Sequence, residues 1–190
     1  LKTPTAAVIL EPLVQGAGGM SMVREEFLKG VEKLIREANS ILILDEVLTG
    51  FGRCGELFAF KKSGLSPDLI ALSKGLTGGF LPMGVTMASE KIFKAFIGDN
   101  PEHTFWHGHS FTANPLGCAA ANASLDLLET YPERYKNFQL RHQPYLKELK
   151  ENKRIKHIRS TGTIAAFELN SKEPKGYLNN LGKKIKTLAI

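Results

Sequence analysis

Short aliphatic runs recur along this chain, separated by stretches with helical spacing or by glycines. AAVILEP (Ala6–Pro12) is an apolar run that Pro12 should end, which predicts a strand. Residues 13–23 contain QGAGGM and read as a flexible loop. In REEFLKGVEKLIREA (Arg24–Ala38), Phe27, Val31, Leu34 and Ile35 fall at helical spacing. The i,i+4 pairs Glu25–Lys29 and Glu32–Arg36 support a helix there. ILILD (Ile41–Asp45) predicts a second strand. Strand, helix and strand within about 35 residues predict a βαβ unit and a parallel sheet covered on both faces.

Gly50, Gly52 and Gly55 mark the next loop, and Glu56–Ser63 reads as a short helix. PDLIALSKG (Pro67–Gly75) predicts a third strand ending at Ser73–Lys74–Gly75. After a glycine-rich turn, VTMAS (Val85–Ser89) is close enough behind to return antiparallel, with Ser89 capping a helix to about Ile97. HTFWHGHSFTANP is an irregular loop, and Asn114 with Pro115 starts a long alanine-rich helix to about Glu129. YPERY restarts a charged helix to about Asn152. IKHIRSTGTIAAFEL then alternates as two strands joined near Gly162, and a further helix is expected from Tyr177. The character changes near residues 125–133, the candidate domain boundary.

Composition changes this picture little. Hydrophobic residues at 43% and charged residues at 23% are globular values. No run approaches ~20 apolar residues, so no membrane partner is expected. Cys54 and Cys118 form no C-x-x-C pair and read as free thiols in the reducing cytoplasm. Residues 1–100 hold 11 basic and 11 acidic groups, so the net charge of +6 belongs to the rest. Lys147, Lys150, Lys153, Arg154 and Lys156 cluster there, followed by Lys183, Lys184 and Lys186. No aromatic stacking motif or zinc-finger spacing accompanies them, so they read as a solvated face, not a nucleic-acid surface. The chain opens on Leu1 and stops inside a helical pattern, as an internal piece of a longer protein would.

Open α/β sheets place ligands at the carboxyl ends of their strands. Two apolar strands here run into ionisable side chains, Asp45 and Lys74, which would share one rim if the strands are parallel. A salt bridge between them is the plain structural alternative. The functional one gives each a task. A lysine amine attacks a carbonyl to form an imine, and a carboxylate holds a protonated ring nitrogen by a charge-assisted hydrogen bond. Pyridoxal phosphate needs both groups. GHSFTANP adds backbone donors and the Ser110 and Thr112 hydroxyls just before a helix start, which suits a phosphate.

At these residues the chain resembles the class III family of pyridoxal-phosphate aminotransferases. AAVILEPLVQGAGGM, ILILDEVLTGFGRCGELFAF, PDLIALSKGLTGGFLPMG and HGHSFTANPLGCAAANASLDLLE match the family in order and spacing, over about residues 5–130. Lys74 follows Asp45 by 29 positions, as in the family pattern. The resemblance implies an α/β fold of the type I class, a mostly parallel sheet flanked by helices. It makes residues 1–128 part of a large cofactor-binding domain and residues 129–190 the start of a small α+β C-terminal domain.

It also implies roles. Asp45 would pair with the cofactor's ring nitrogen, Val47 would pack under the ring and Lys74 would bond the aldehyde. Ser110, with His109 beside it, would bind the phosphate of a cofactor held mainly by the neighbouring subunit of a homodimer, and Gly108 would lie near the substrate. Many members carry glutamine where this chain has Leu48. A small or apolar residue there, and the HGHSFTANPLGCAAANASL block, resemble the biotin-pathway branch, although leucine is bulkier than the alanine expected. That branch implies amino transfer from S-adenosylmethionine to 8-amino-7-oxononanoate, giving 7,8-diaminononanoate. Other class III members, of the ornithine, 4-aminobutyrate or omega-amino acid type, are the alternative. The family's phosphate loop and ring-stacking aromatic would precede Leu1, and its carboxylate-binding arginine would follow Ile190, so this piece alone is expected to be inactive.

Other residues have plainer expectations. Glu11 reads as a hydrogen-bond partner behind the site, Glu46 as a structural ion-pair partner and Arg53 as a loop stabiliser. His103, His107 and His109 lack a companion Cys or Asp for a metal site. Four aliphatic residues before Asp-Glu also describe the magnesium-binding strand of a P-loop ATPase, but no G-x-x-x-x-G-K-[ST] loop occurs in the chain. A basic binding module would rest on the C-terminal lysines alone.

Overall fold

The structure, a computed structural model, describes residues 3–170 and 181–188. Strand β1 (Ala7–Leu10) leads into two very short strands, β2 (Val14–Gln15) and β3 (Ser21–Met22), which pair antiparallel. The segment expected to be a flexible loop is therefore a small hairpin. Helix α1 (Glu25–Glu37) follows, with Glu25 and Glu26 in its first turn and Arg36 in its last, charges that complement the helix dipole. Leu28 and Ile35 are its buried residues, whereas Phe27 and Leu34 are 60% and 55% exposed. The inward face thus keeps Val31 and Ile35 of the expected stripe and takes Leu28 in place of Phe27 and Leu34. Arg36 pairs with Glu32 as expected, and also binds Asp68 at 2.5 Å.

Strand β4 (Ile41–Asp45) pairs parallel with β1, and β5 (Leu69–Leu72) pairs parallel with β4. Between them lies α2 (Ala59–Ser63), shorter than the expected Glu56–Ser63. Strand β6 (Val85–Ala88) returns antiparallel on β5, so the sheet order is β1-β4-β5-β6. Helix α3 (Glu90–Lys94) is shorter than expected, and Ser89 stands before it without making a side-chain cap. Helix α4 (Pro115–Thr130) starts as predicted: the Asn114 side chain accepts from the Gly117 amide at 2.7 Å and Pro115 takes the first turn.

The charged segment divides at Asn137 into α5 (Glu133–Lys136) and α6 (Phe138–Lys150), the latter with Pro144 inside it. Strands β7 (Ile155–Thr161) and β8 (Ile164–Leu169) pair antiparallel around Gly162, with a register shift between Lys156 and Arg159. Helix α7 (Leu181–Leu188) completes the described chain. Its expected start at Tyr177 lies outside the described residues.

The core gathers on one face of the sheet. Leu42 and Leu44 of β4 meet Leu28 and Ile35 of α1, with Leu13, Val14, Ala59, Leu65 and Ile164 around them. Because strand side chains alternate, Ile41, Ile43 and Asp45 belong to the opposite face of β4, while Glu46, next in order, continues the buried parity of Leu42 and Leu44. No described helix is long and apolar enough to cross a membrane.

Candidate functional site

Register places the two candidate side chains on one rim. Asp45, the last residue of β4, lies opposite Ala71 of the parallel β5. The ladder ends one step later, where the Glu46 amide donates to the Ala71 carbonyl at 3.0 Å. Lys74 stands three residues beyond Ala71, so the two Cα atoms are within about 16 Å of one another. Asp45 is half-buried, and its Oδ1 accepts from the Val47 amide at 3.0 Å. Lys74 is exposed, and among the described residues no hydrogen bond or ion pair holds its ammonium. The plain salt bridge between the two is absent.

Lys74 is also conformationally unusual. Its φ is +45°, a left-handed geometry that costs a residue with a Cβ of the order of 1 kcal/mol or more. Strand parity would set position 74 with the buried Ile70 and Leu72; the left-handed residue breaks that alternation and opens a 3-10 turn, Lys74–Thr77. Neighbours clamp the turn. The Ser73 hydroxyl donates to the Met83 carbonyl at 2.7 Å, the Thr77 hydroxyl to Leu81 at 2.6 Å, and the Ser124 hydroxyl of α4 to Gly75 at 3.0 Å. A Cβ on Gly75 would stand 2.7 Å from Phe51 Cβ, so only glycine fits behind the lysine.

Glu46 is fully buried and, among the described residues, makes no ion pair, contrary to expectation. Its carboxyl accepts from the Ala59 and Phe60 amides, each at 2.7 Å, and from the Thr49 hydroxyl at 3.2 Å. Those amides are the first donors of α2, which is why that helix starts at Ala59. Burial holds the Glu46 carboxyl above its usual range despite these bonds. Burial, reinforced by Glu46, pushes the Cys54 thiol up to about 12, leaving it an inert core group.

Glu11 accepts from the Gly16 amide at 2.9 Å, a bond within its own turn. Leu48 crowds the same turn: a Cβ on Gly16 would fall 2.2 Å from Leu48 Cδ2. Gly108, His109 and Ser110 lie in an exposed loop before α4. His109 Nδ1 accepts from the Phe111 amide at 3.2 Å, and among the described residues no hydrogen bond joins this loop to Asp45 or Lys74. No group of three or more described His, Cys, Asp or Glu side chains gathers as metal ligands would. A groove of about 740 Å³ between α6 and β7, lined by Leu140, Pro144, Lys147 and Ile158 among others, shares no residue with the rim. Ser73, Ser124 and Phe51 carry no signal in the local pattern; the glycine after the lysine is the one hint of a close approach.

Known proteins bear on this rim. The family model for class III aminotransferases matches residues 1–188. The adenosylmethionine-8-amino-7-oxononanoate aminotransferase of Synechococcus elongatus is 52% identical over 185 residues, 97% of this chain and 43% of that protein. The protein of the same name from Geobacter sulfurreducens is 44% identical over 191 residues, 95% of this chain and 41% of its own length. A solved Bacillus anthracis aminotransferase superposes with a TM-score of 0.85 at 34% identity, over 96% of this chain and 41% of that one. The chain thus spans about two fifths of the length of the relatives it matches. The fold is that of the type I pyridoxal-phosphate transferases, and the chain belongs to the class III aminotransferase family.

Proposed function

We propose that the full-length protein is a pyridoxal-phosphate-dependent aminotransferase of biotin synthesis. It moves the amino group of S-adenosylmethionine to 8-amino-7-oxononanoate and releases 7,8-diaminononanoate. The observation that carries the reading is that Asp45 and the left-handed Lys74 stand at the carboxyl ends of adjacent parallel strands. The names of the relatives support the choice of donor and acceptor.

The donor set fits the cofactor. Pyridoxal phosphate presents an aldehyde, a basic ring nitrogen and a phosphate; this chain presents an amine held by no described partner, a half-buried carboxyl, and hydroxyl and amide donors ahead of α4. Asp45, Val47, Lys74, His109 and Ser110 are the residues that would hold it, and Gly108 would lie toward the substrate. When bound, the cofactor supplies an electron sink for negative charge developing on the substrate carbon.

The chain's own residues do the rest. Lys74 would be the amine that takes the aldehyde carbon, the aldehyde oxygen being lost as water. With a donor amine bound in its place, the free Lys74 amine would be the general base that takes the proton from the donor carbon and delivers it again. Asp45, whose Oδ1 accepts from the Val47 amide, would keep the ring nitrogen protonated through a charge-assisted hydrogen bond. The exposed Phe105, Trp106, Phe111 and Leu116, between 66% and 82% accessible, support a homodimer that covers them. Residues 1–128 and 129–190 are assigned to the large and small domains, and the cytoplasm is the proposed compartment.

An absorbance titration of the purified full-length protein with pyridoxal phosphate tests this. The lysine-bound cofactor should give a visible band that S-adenosylmethionine discharges. A band that S-adenosylmethionine leaves unchanged assigns the donor to another class III substrate, and no band at all removes the aminotransferase reading.

A further inference from the structure

The loop Gly50–Gly55 lies between the Lys74 turn and the C-terminal elements, and it is fixed on several sides. Gly52, at φ +85°, lies against Tyr135 of α5: a Cβ there would come 2.6 Å from Tyr135 Cγ. Gly162, at φ +53°, inserts the β7–β8 turn so closely that a Cβ would stand 2.3 Å from the Cys54 carbonyl carbon and the Gly55 nitrogen. The Thr163 amide donates to the Arg53 carbonyl at 2.9 Å. Lys62 joins the two segments, donating to the Cys54 carbonyl at 3.0 Å and to the Thr161 hydroxyl at 2.9 Å.

Held in this way, the loop presents Phe51. Phe51 has φ +55°, again left-handed for a bulky residue, and its ring meets Phe58 edge-on at 5.4 Å. Its Cβ and ring lie directly over Gly75, the residue after Lys74. Two strained residues therefore face each other across one glycine. Such conformations persist only where surrounding structure over-determines them. On the Lys74 side, the Ser124 hydroxyl holds the Gly75 carbonyl and the Gly78 amide returns to the same oxygen at 3.0 Å. Phe51 fills the remaining side.

We propose that Phe51 is a positioning residue for Lys74: the loop Gly50–Gly55 carries the seating of the β7–β8 turn and of Tyr135 onto Gly75, and so keeps Lys74 in its left-handed geometry. This rests on Lys74 being the amine that takes the carbonyl cofactor, as set out under Proposed function. The C-terminal elements then set the aim of the lysine through Phe51 and Gly75.

The test uses the full-length enzyme with Phe51→Ala, Phe51→Leu and Gly162→Ala. Cofactor-free protein is mixed with pyridoxal phosphate, quenched with borohydride at intervals, and the adduct at Lys74 is quantified by peptide mass spectrometry; kcat and KM are measured on the same preparations. Phe51→Ala should slow capture and lower kcat about ten- to hundredfold with KM within about twofold, because misplacement of a reacting group costs rate rather than affinity. Phe51→Leu, which keeps most of the bulk, should restore both to within about threefold. Gly162→Ala should slow capture about threefold or more, although its site lies in the C-terminal turn. Capture and kcat within about twofold of wild type in Phe51→Ala overturn the proposal, as does a Phe51→Ala effect confined to KM. Should Phe51→Ala fail to fold, Gly162→Ala decides: slowed capture supports the coupling, and a lowered Tm with unchanged capture overturns it. Wild-type protein that forms no adduct at Lys74 removes the underlying functional reading, and this proposal with it, before any variant is compared.

Discussion

Replacing Glu46 by glutamine tests what anchors the start of α2 and the loop after β4. In the wild type one carboxyl oxygen serves the Phe60 amide at 2.7 Å, and the other serves the Ala59 amide at 2.7 Å and the Thr49 hydroxyl at 3.2 Å. Glutamine keeps the shape with a single acceptor oxygen, so its NH2 must face one of the two amides. Stranding one buried N–H costs about 1–3 kcal/mol. A protonated carboxyl is less damaging, because its hydroxyl oxygen still turns a lone pair to the second amide.

The deficit depends on pH. Burial raises the folded-state pKa of Glu46 above its reference of 4.5. Between the unfolded and folded pKa values the folded state therefore binds more protons, and the wild type loses stability as pH rises through that window. Glutamine has no such titration. The deficit of Glu46→Gln should be largest below the unfolded pKa and narrow by about 1.4 kcal/mol for each pH unit separating the two pKa values. Thermal unfolding of the full-length protein across a pH series reads the global effect. Hydrogen exchange in the peptide carrying Ala59 and Phe60 reads the local one, expected to speed up about ten- to hundredfold. A deficit that widens with pH would mean that the amides favour the carboxylate more than burial penalises it, and would refute the reasoning. So would unchanged exchange at those amides.

Three further outcomes follow from the same geometry. Burial raises the Asp68 carboxyl, but the Leu42 amide at 2.8 Å and the Arg36 guanidinium outweigh it and hold it below its usual range. Its stabilisation is present above the unfolded pKa and lost as pH falls through the folded one, so Asp68→Asn should cost about 1–3 kcal/mol near neutrality and flatten the acid limb of Tm against pH; an unchanged limb counts against it. Ser124→Ala removes the 3.0 Å bond to the Gly75 carbonyl and should lower stability by about 0.5–1.5 kcal/mol in thermal melts, with no loss if water replaces the hydroxyl. Asp45→Asn in the full-length enzyme should retain bound cofactor and lose roughly ten- to hundredfold in kcat, the worth of one charge-assisted hydrogen bond; wild-type kcat would remove the ring-nitrogen role.

What was legible in the sequence divides along physical lines. The strands at Ala7–Leu10, Ile41–Asp45 and Leu69–Leu72 and the helix between the first two stand out because their aliphatic runs and helical spacing are local features of the sequence. The hairpin of β2 and β3 did not, since two-residue strands carry no period. The break at Asn137 did not either, because the charged pattern on both sides of it is helical. At the site, the carboxylate and the amine were visible as residue types at strand ends. The left-handed backbone of Lys74 was not, because it is imposed by Phe51, Ser124 and Gly75, contacts that hydrophobic spacing does not record. The docking of Gly162 on Cys54 joins segments more than a hundred positions apart and has no local signature.

The pair Asp45–Glu46 lies between these cases, and strand parity explains why. ILILDE alternates, so one of two adjacent carboxyls must follow Leu42 and Leu44 into the core while the other follows Ile41 and Ile43 to the opposite face. A one-residue slip of β4 against β5 would exchange them. The Asp45–Ala71 register excludes that slip. The buried carboxyl meets amides where its local sequence suggests a cation, because the start of α2 comes 13 positions later, beyond the reach of any local pattern. The helix start needs an acceptor and the inward carboxyl needs donors, so each satisfies the other, and Asp45 is left at the rim where a cationic ring nitrogen can meet it.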